Sequence, residues 1–82
     1  MSNEFAYKIE YEADRETAQI NATIPELNHI SSFGDTFAEA ESNVREATLG
    51  YLEVLIKENK EIPKPAFRTE GTYLKIFVPK VA

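Results

Sequence analysis

The sequence predicts an α+β fold: a small antiparallel sheet with one long helix on one of its faces, in the order β-β-β-α-β. Three observations carry that prediction. Residues 4–13 and 17–24 alternate apolar and polar side chains, as half-buried strands do. Residues 35–59 change to the period of an amphipathic helix, and residues 72–78 return to strongly β-forming side chains. One helix covers only one face of such a sheet, and the opposite face is polar enough for water.

In the first run Phe5, Tyr7, Ile9 and Tyr11 point one way, and Ala6, Lys8, Glu10 and Glu12 the other. Asp14-Arg15-Glu16 is a polar break, after which Ala18, Ile20, Ala22 and Ile24 alternate with Thr17, Gln19, Asn21 and Thr23. Two alternating runs this close predict a hairpin. Its turn holds no Gly, so a positive φ is expected at Asp14, the residue there that tolerates it best. Pro25 ends the second strand or marks an edge. Glu26-Leu27-Asn28 then turns, and His29 to Phe33 forms a short third strand with Ile30 and Ser32 on one face. Gly34-Asp35 leads into the helix.

Thr36 is placed to cap the helix start, and Glu39, three residues on, to complete a capping box. Phe37, Ala40, Val44, Ala47, Tyr51 and Leu55 fall on one stripe, the expected core face; Glu39, Ser42, Glu46, Glu53 and Lys57 lie opposite. Leu49, Leu52 and Ile56 widen the apolar arc toward one flank. Two readings of that flank stay open. The connector around Ile62, Pro63, Pro65 and Phe67 folds over it, or a partner or second subunit does. Gly50 costs about 1 kcal/mol against Ala in a helix interior. It is either tolerated on the polar edge or needed for close approach by a partner.

Beyond the helix, Pro63 and Pro65 hold residues 59–65 in an extended connector. Thr72 to Val78 is the fourth strand, stopped by Pro79. Both of its faces are largely apolar: Leu74, Ile76 and Val78 on one, Tyr73 and Phe77 beside Lys75 on the other. A strand apolar on both sides needs cover on both sides. Tyr73, Leu74, Ile76, Phe77 and Val78 are therefore the expected interface between copies of the chain.

With 82 residues the chain is expected to form one domain, residues 1–82. So small a core is marginal, and self-association into a dimer or higher homo-oligomer would help it. There is no Cys, which excludes disulfides and thiolate chemistry. The net charge of −5, with a pI near 4.8, argues against unaided binding to nucleic acid or anionic membranes and favours a basic partner. The sequence shows no leader and no run long enough to span a membrane, so a cytoplasmic protein is expected.

The chemistry-bearing residues form no catalytic set, and no cofactor is expected. Asp14, Glu26, Asp35 and Glu39 could in principle converge on a divalent metal. Asp35 and Glu39 are already explained by helix-start physics, however, and Asp14 by turn chemistry. His29, alone beside a turn, reads as a structural or surface residue. Tyr7, Tyr11, Tyr51 and Tyr73 lack the interleaved Lys and Arg of a base-stacking platform and read as sheet and core residues.

Several stretches in order resemble the HicB-like antitoxin family. They are Tyr7-Lys8-Ile9-Glu10-Tyr11-Glu12 with the acidic turn after it, Ala22-Thr23-Ile24-Pro25-Glu26-Leu27, and Gly34-Asp35-Thr36-Phe37-Ala38-Glu39-Ala40 leading to Val44-Arg45-Glu46-Ala47. Tyr51-Leu52-Glu53 and Ile62-Pro63-Lys64-Pro65 follow. The resemblance implies a partial ferredoxin-like domain that binds and covers a small HicA toxin, an mRNA-cleaving protein with a double-stranded-RNA-binding-domain-like fold. For a chain ending at Ala82 it further implies a short member without the C-terminal DNA-binding segment of many relatives.

On this reading the chain is no enzyme. Its expected toxin contacts are Asp14, Glu16, Glu39 and Glu46, with Leu49 and Ile56 as apolar anchors. Two alternatives are an orphan homo-oligomeric domain and a metal-dependent, ribonuclease H-like nuclease.

Overall fold

The sheet is built on its first strand, β1 (Glu4–Ala13), whose ten residues are long enough to hold two partners at different places. In a computed structural model of the chain, which describes residues 4–64 and 71–77, β1 is followed by β2 (Ile20–Ile24) and β3 (Ile30–Gly34). The helix α1 (Phe37–Lys57) and strand β4 (Thr72–Phe77) complete the expected β-β-β-α-β order. The strands lie antiparallel in the order β3-β2-β1-β4. β2 pairs with Glu10–Ala13 of β1, whereas β4 pairs with Glu4–Ile9.

The core lies between α1 and one face of the sheet. Tyr7, Ile9, Ile20, Ala22 and Ile24 face Ala40, Val44, Leu52 and Leu55, with Leu27, Leu74 and Ile76 closing the ends. Glu10, Glu12, Asn21, Ser31 and Lys75 are exposed on the opposite face, as the period-two pattern requires. None of the described helices is long and apolar enough to cross a membrane.

The hairpin departs from expectation. β2 begins at Ile20 rather than Thr17, and the positive φ falls on Ala18 (60°), not on Asp14. The cause is local hydrogen bonding. The Asp14 carboxylate accepts the backbone N–H groups of Glu16 (2.8 Å) and Thr17 (3.3 Å), and Ala18 N–H donates to the Asp14 carbonyl. This closes a one-turn loop that takes up Thr17 and Ala18. An alanine in the left-handed region is strained in a way glycine is not. Ala18→Gly is therefore expected to stabilise the chain by about 1 kcal/mol, read as a higher urea midpoint at unchanged m-value.

The second turn also uses left-handed residues. Pro25 opens a single 3-10 turn, Pro25–Leu27, that drives Leu27 into the core, and Asn28 and His29 follow at φ of 56° and 55°. Asn and His are among the residues that tolerate this region. The third strand consequently starts at Ile30, one residue later than expected. Where β2 has ended, the Glu26 carboxylate accepts the Lys8 backbone N–H at 3.2 Å.

Thr36 caps α1, its hydroxyl accepting the Glu39 N–H at 3.1 Å. At the far end Asn59 adopts φ 55°, its N–H bonds to the Ile56 carbonyl, and Lys60 N–H bonds to the Leu55 carbonyl. Those paired bonds are a Schellman motif with Asn in the place glycine usually takes.

The buried arc of α1 is Ala40, Val44, Thr48, Leu52 and Leu55. Relative to the expected stripe the helix is rolled toward its Leu52 flank, leaving Ala47 and Phe37 exposed and Tyr51 half-buried. Sequence patterning missed Thr48 because it is polar. Its hydroxyl is fully buried and, among the described residues, has no hydrogen-bond partner, a situation that costs about 1–3 kcal/mol. Gly50 is exposed, and a Cβ built there would meet nothing within 4 Å. Among the described residues nothing requires glycine at that position, so Gly50→Ala is expected to raise stability by about 1 kcal/mol in thermal or urea unfolding.

Candidate partner-binding surface

The pairing of Ala13 with Ile20, and of Ile20 with Gly34, places the hairpin tip and the start of α1 at the same end of the sheet. Asp14, Glu16 and Glu39, three of the anticipated contact residues, are thereby gathered there, all exposed. Glu46 is exposed two turns further along the helix. Leu49 and Ile56 are partly buried against the chain's own core, as is Ile62 of the connector. Of the two covers the sequence offered for that flank, Ile62 of the connector packs against the same core cluster. Pro65 and Phe67 lie outside the described residues.

The residues expected to join two copies have different placements. Leu74 and Ile76 are buried opposite Tyr7 and Phe5 in this chain's own core. Tyr73 is half-buried on the other face, Phe77 is the last residue of β4, and Val78 lies outside the described residues.

Two exposed aromatics belong to the hairpin end and were not among the anticipated contacts. Phe37 is 59% exposed although its helical angle points it toward the core. It is the first residue of α1, and β4 starts only at the partner of Ile9, so the helix start overhangs a corner of the sheet that no described strand extends. Its ring meets Tyr11 edge-on, at a centroid distance of 5.2 Å and 77°. Phe33, 55% exposed, lies on the open face of the sheet in register with Asn21 and Glu12. Helical periodicity gave Phe37 the right angle. Only the strand register reveals that, among the described residues, the sheet extends no further than Tyr11 beneath it.

Charge is concentrated at the same end. Glu12, Asp14, Glu16, Asp35, Glu39 and Glu41 stand against Arg15 over residues 12–16 and 35–41, an excess equal to the −5 of the whole chain. Residues 42–64, in contrast, carry four acids and four bases. Glu41 and Arg45 form an ion pair at 2.9 Å, half-exposed and therefore worth a few tenths of a kcal/mol. Arg45 also donates to the Lys75 backbone carbonyl, and Asn43 donates to the Phe33 carbonyl at 2.8 Å. The helix thus holds main-chain groups of both outer strands. Burial, and then the Glu41 carboxylate, push the Tyr11 hydroxyl pKa up, with Arg45 opposing.

Asp14, Glu26, Asp35 and Glu39 do not converge: Glu26 lies beside Lys8, away from the hairpin tip. Among the described residues no three His, Asp or Glu side chains group as a metal site would.

This arrangement is a small α+β fold with one exposed end that is both acidic and aromatic. A family model described as the HicB-like antitoxin of bacterial toxin-antitoxin systems matches residues 7–71, and the chain belongs to that family. The crystal structure of the N-terminal domain of Burkholderia pseudomallei antitoxin HicB is similar in fold, with a TM-score of 0.64 at 20% identity over 94% of this chain and 99% of that one. No curated protein matches the sequence.

Proposed function

We propose that the chain is a non-enzymatic, cytoplasmic antitoxin that neutralises a small HicA-like, mRNA-cleaving toxin by binding it directly. The observation that carries this reading is the match to the HicB-like antitoxin family over residues 7–71. Physical chemistry supports it independently: a protein that binds RNA presents cationic side chains, and an acidic domain is steered toward such a surface. The proposed contacts begin with Asp14, Glu16 and Glu39 at the hairpin end.

The test is co-expression with the product of the reading frame adjacent to this one, which this reading expects to be small and basic. Growth arrest by that protein should be relieved, and the two should co-purify. Persistent arrest with no complex would overturn the reading and leave a domain that associates only with itself.

A further inference from the structure

We propose that the partner docks on the overhanging start of α1, with an arginine or lysine side chain laid across Phe37 at the acidic end of the sheet. This rests on the antitoxin reading and specifies which surface carries it. Phe37 occupies a core-facing angle on the helix yet is more than half exposed, and among the described residues its ring meets only Tyr11. An aromatic face left uncovered in this way offers a desolvated seat for an anchoring side chain.

The surrounding charge identifies the occupant. The carboxylates at this end account for the chain's entire negative excess, so an acidic or purely apolar partner is disfavoured. A guanidinium or ammonium group on an aliphatic stem can meet both the ring and the carboxylates. Glu41 is already tied to Arg45, whereas Glu16 and Glu39 are exposed at the same end of the sheet, Glu39 on the side of the helix away from Phe37 and beside Gly34 of β3. The occupant is therefore a basic protein surface with a protruding Arg or Lys.

The experiment measures binding and its kinetics between the full chain and the product of the adjacent reading frame, made in catalytically dead form. Phe37→Ala should weaken affinity about 30-fold, chiefly through faster dissociation. Because Phe37 is exposed, the substitution leaves the buried core intact, and circular dichroism checks the fold. Glu16→Lys with Glu39→Lys should slow association at least tenfold at low salt, an effect that shrinks as salt is added. Glu53→Lys, on the outward face near the other end of the helix, should change little. Unaltered binding by both hairpin-end variants, beside an intact wild-type complex, would overturn this surface and leave the antitoxin reading standing. No binding by the wild type would overturn both.

Discussion

Replacing Gly34 by Ala is expected to destabilise the chain by about 3 kcal/mol, near the upper end of what overpacking a close contact costs. Gly34 is buried where β3 ends, and a Cβ there would sit 2.6 Å from the Ala40 nitrogen and 2.8 Å from the Glu39 carbonyl carbon. Both are backbone atoms of the first helical turn, so no side-chain rotation relieves the clash. Either α1 lifts from β3, or the Thr36 cap and the Asn43 bond to the Phe33 carbonyl are strained together. For a chain of this size the loss corresponds to a fall in Tm on the order of 12–24 °C. Gly50→Ala, in the same helix but facing solvent, should move Tm the other way. A Gly34→Ala variant as stable as wild type would show that the strand-to-helix approach is not tight.

That contrast marks where the sequence was legible. Period-two alternation identified β1 and its core face residue by residue, and Thr36 with Glu39 located the helix start, because both signals are local. Gly34 could be read only as punctuation, since its backbone contact with Ala40 exists only once strand and helix are packed. The roll of α1 was hidden for the same reason: a buried Thr48 with an unpartnered hydroxyl contradicts its polarity, and only the packing around it selects that face. At the partner surface, the acids at 14, 16 and 39 were visible as charges. Their coming together depends on the Ala13–Ile20–Gly34 register. Phe37 was visible as an apolar residue and misread as core, because periodicity reports the angle of a side chain but not where the opposing sheet stops.

Tyr7 carries the second large effect, an alkaline loss of stability that a single substitution should remove. Its ring is fully buried, stacked on Phe5 at 6.2 Å, and its hydroxyl donates to the Pro63 carbonyl at 2.7 Å, tying the connector after α1 back to β1. Burial, and then the Glu26 carboxylate, push its pKa up to about 12. The native state therefore prefers the protonated phenol. Its contribution is fully present below the unfolded value near 10 and is lost as pH rises toward 12, by roughly 2–3 kcal/mol in all. Tyr7→Phe should cost about 1 kcal/mol near pH 8, where only the bond to Pro63 is missing. Between pH 10 and 12 it should then decline less than wild type, with the raised pKa of Tyr11 leaving a smaller residual slope. Urea unfolding of both chains across that range separates this from general repulsion as lysines neutralise, which affects them equally. Parallel curves would mean that the Tyr7 hydroxyl reaches solvent, and the connector would then need another tether to β1.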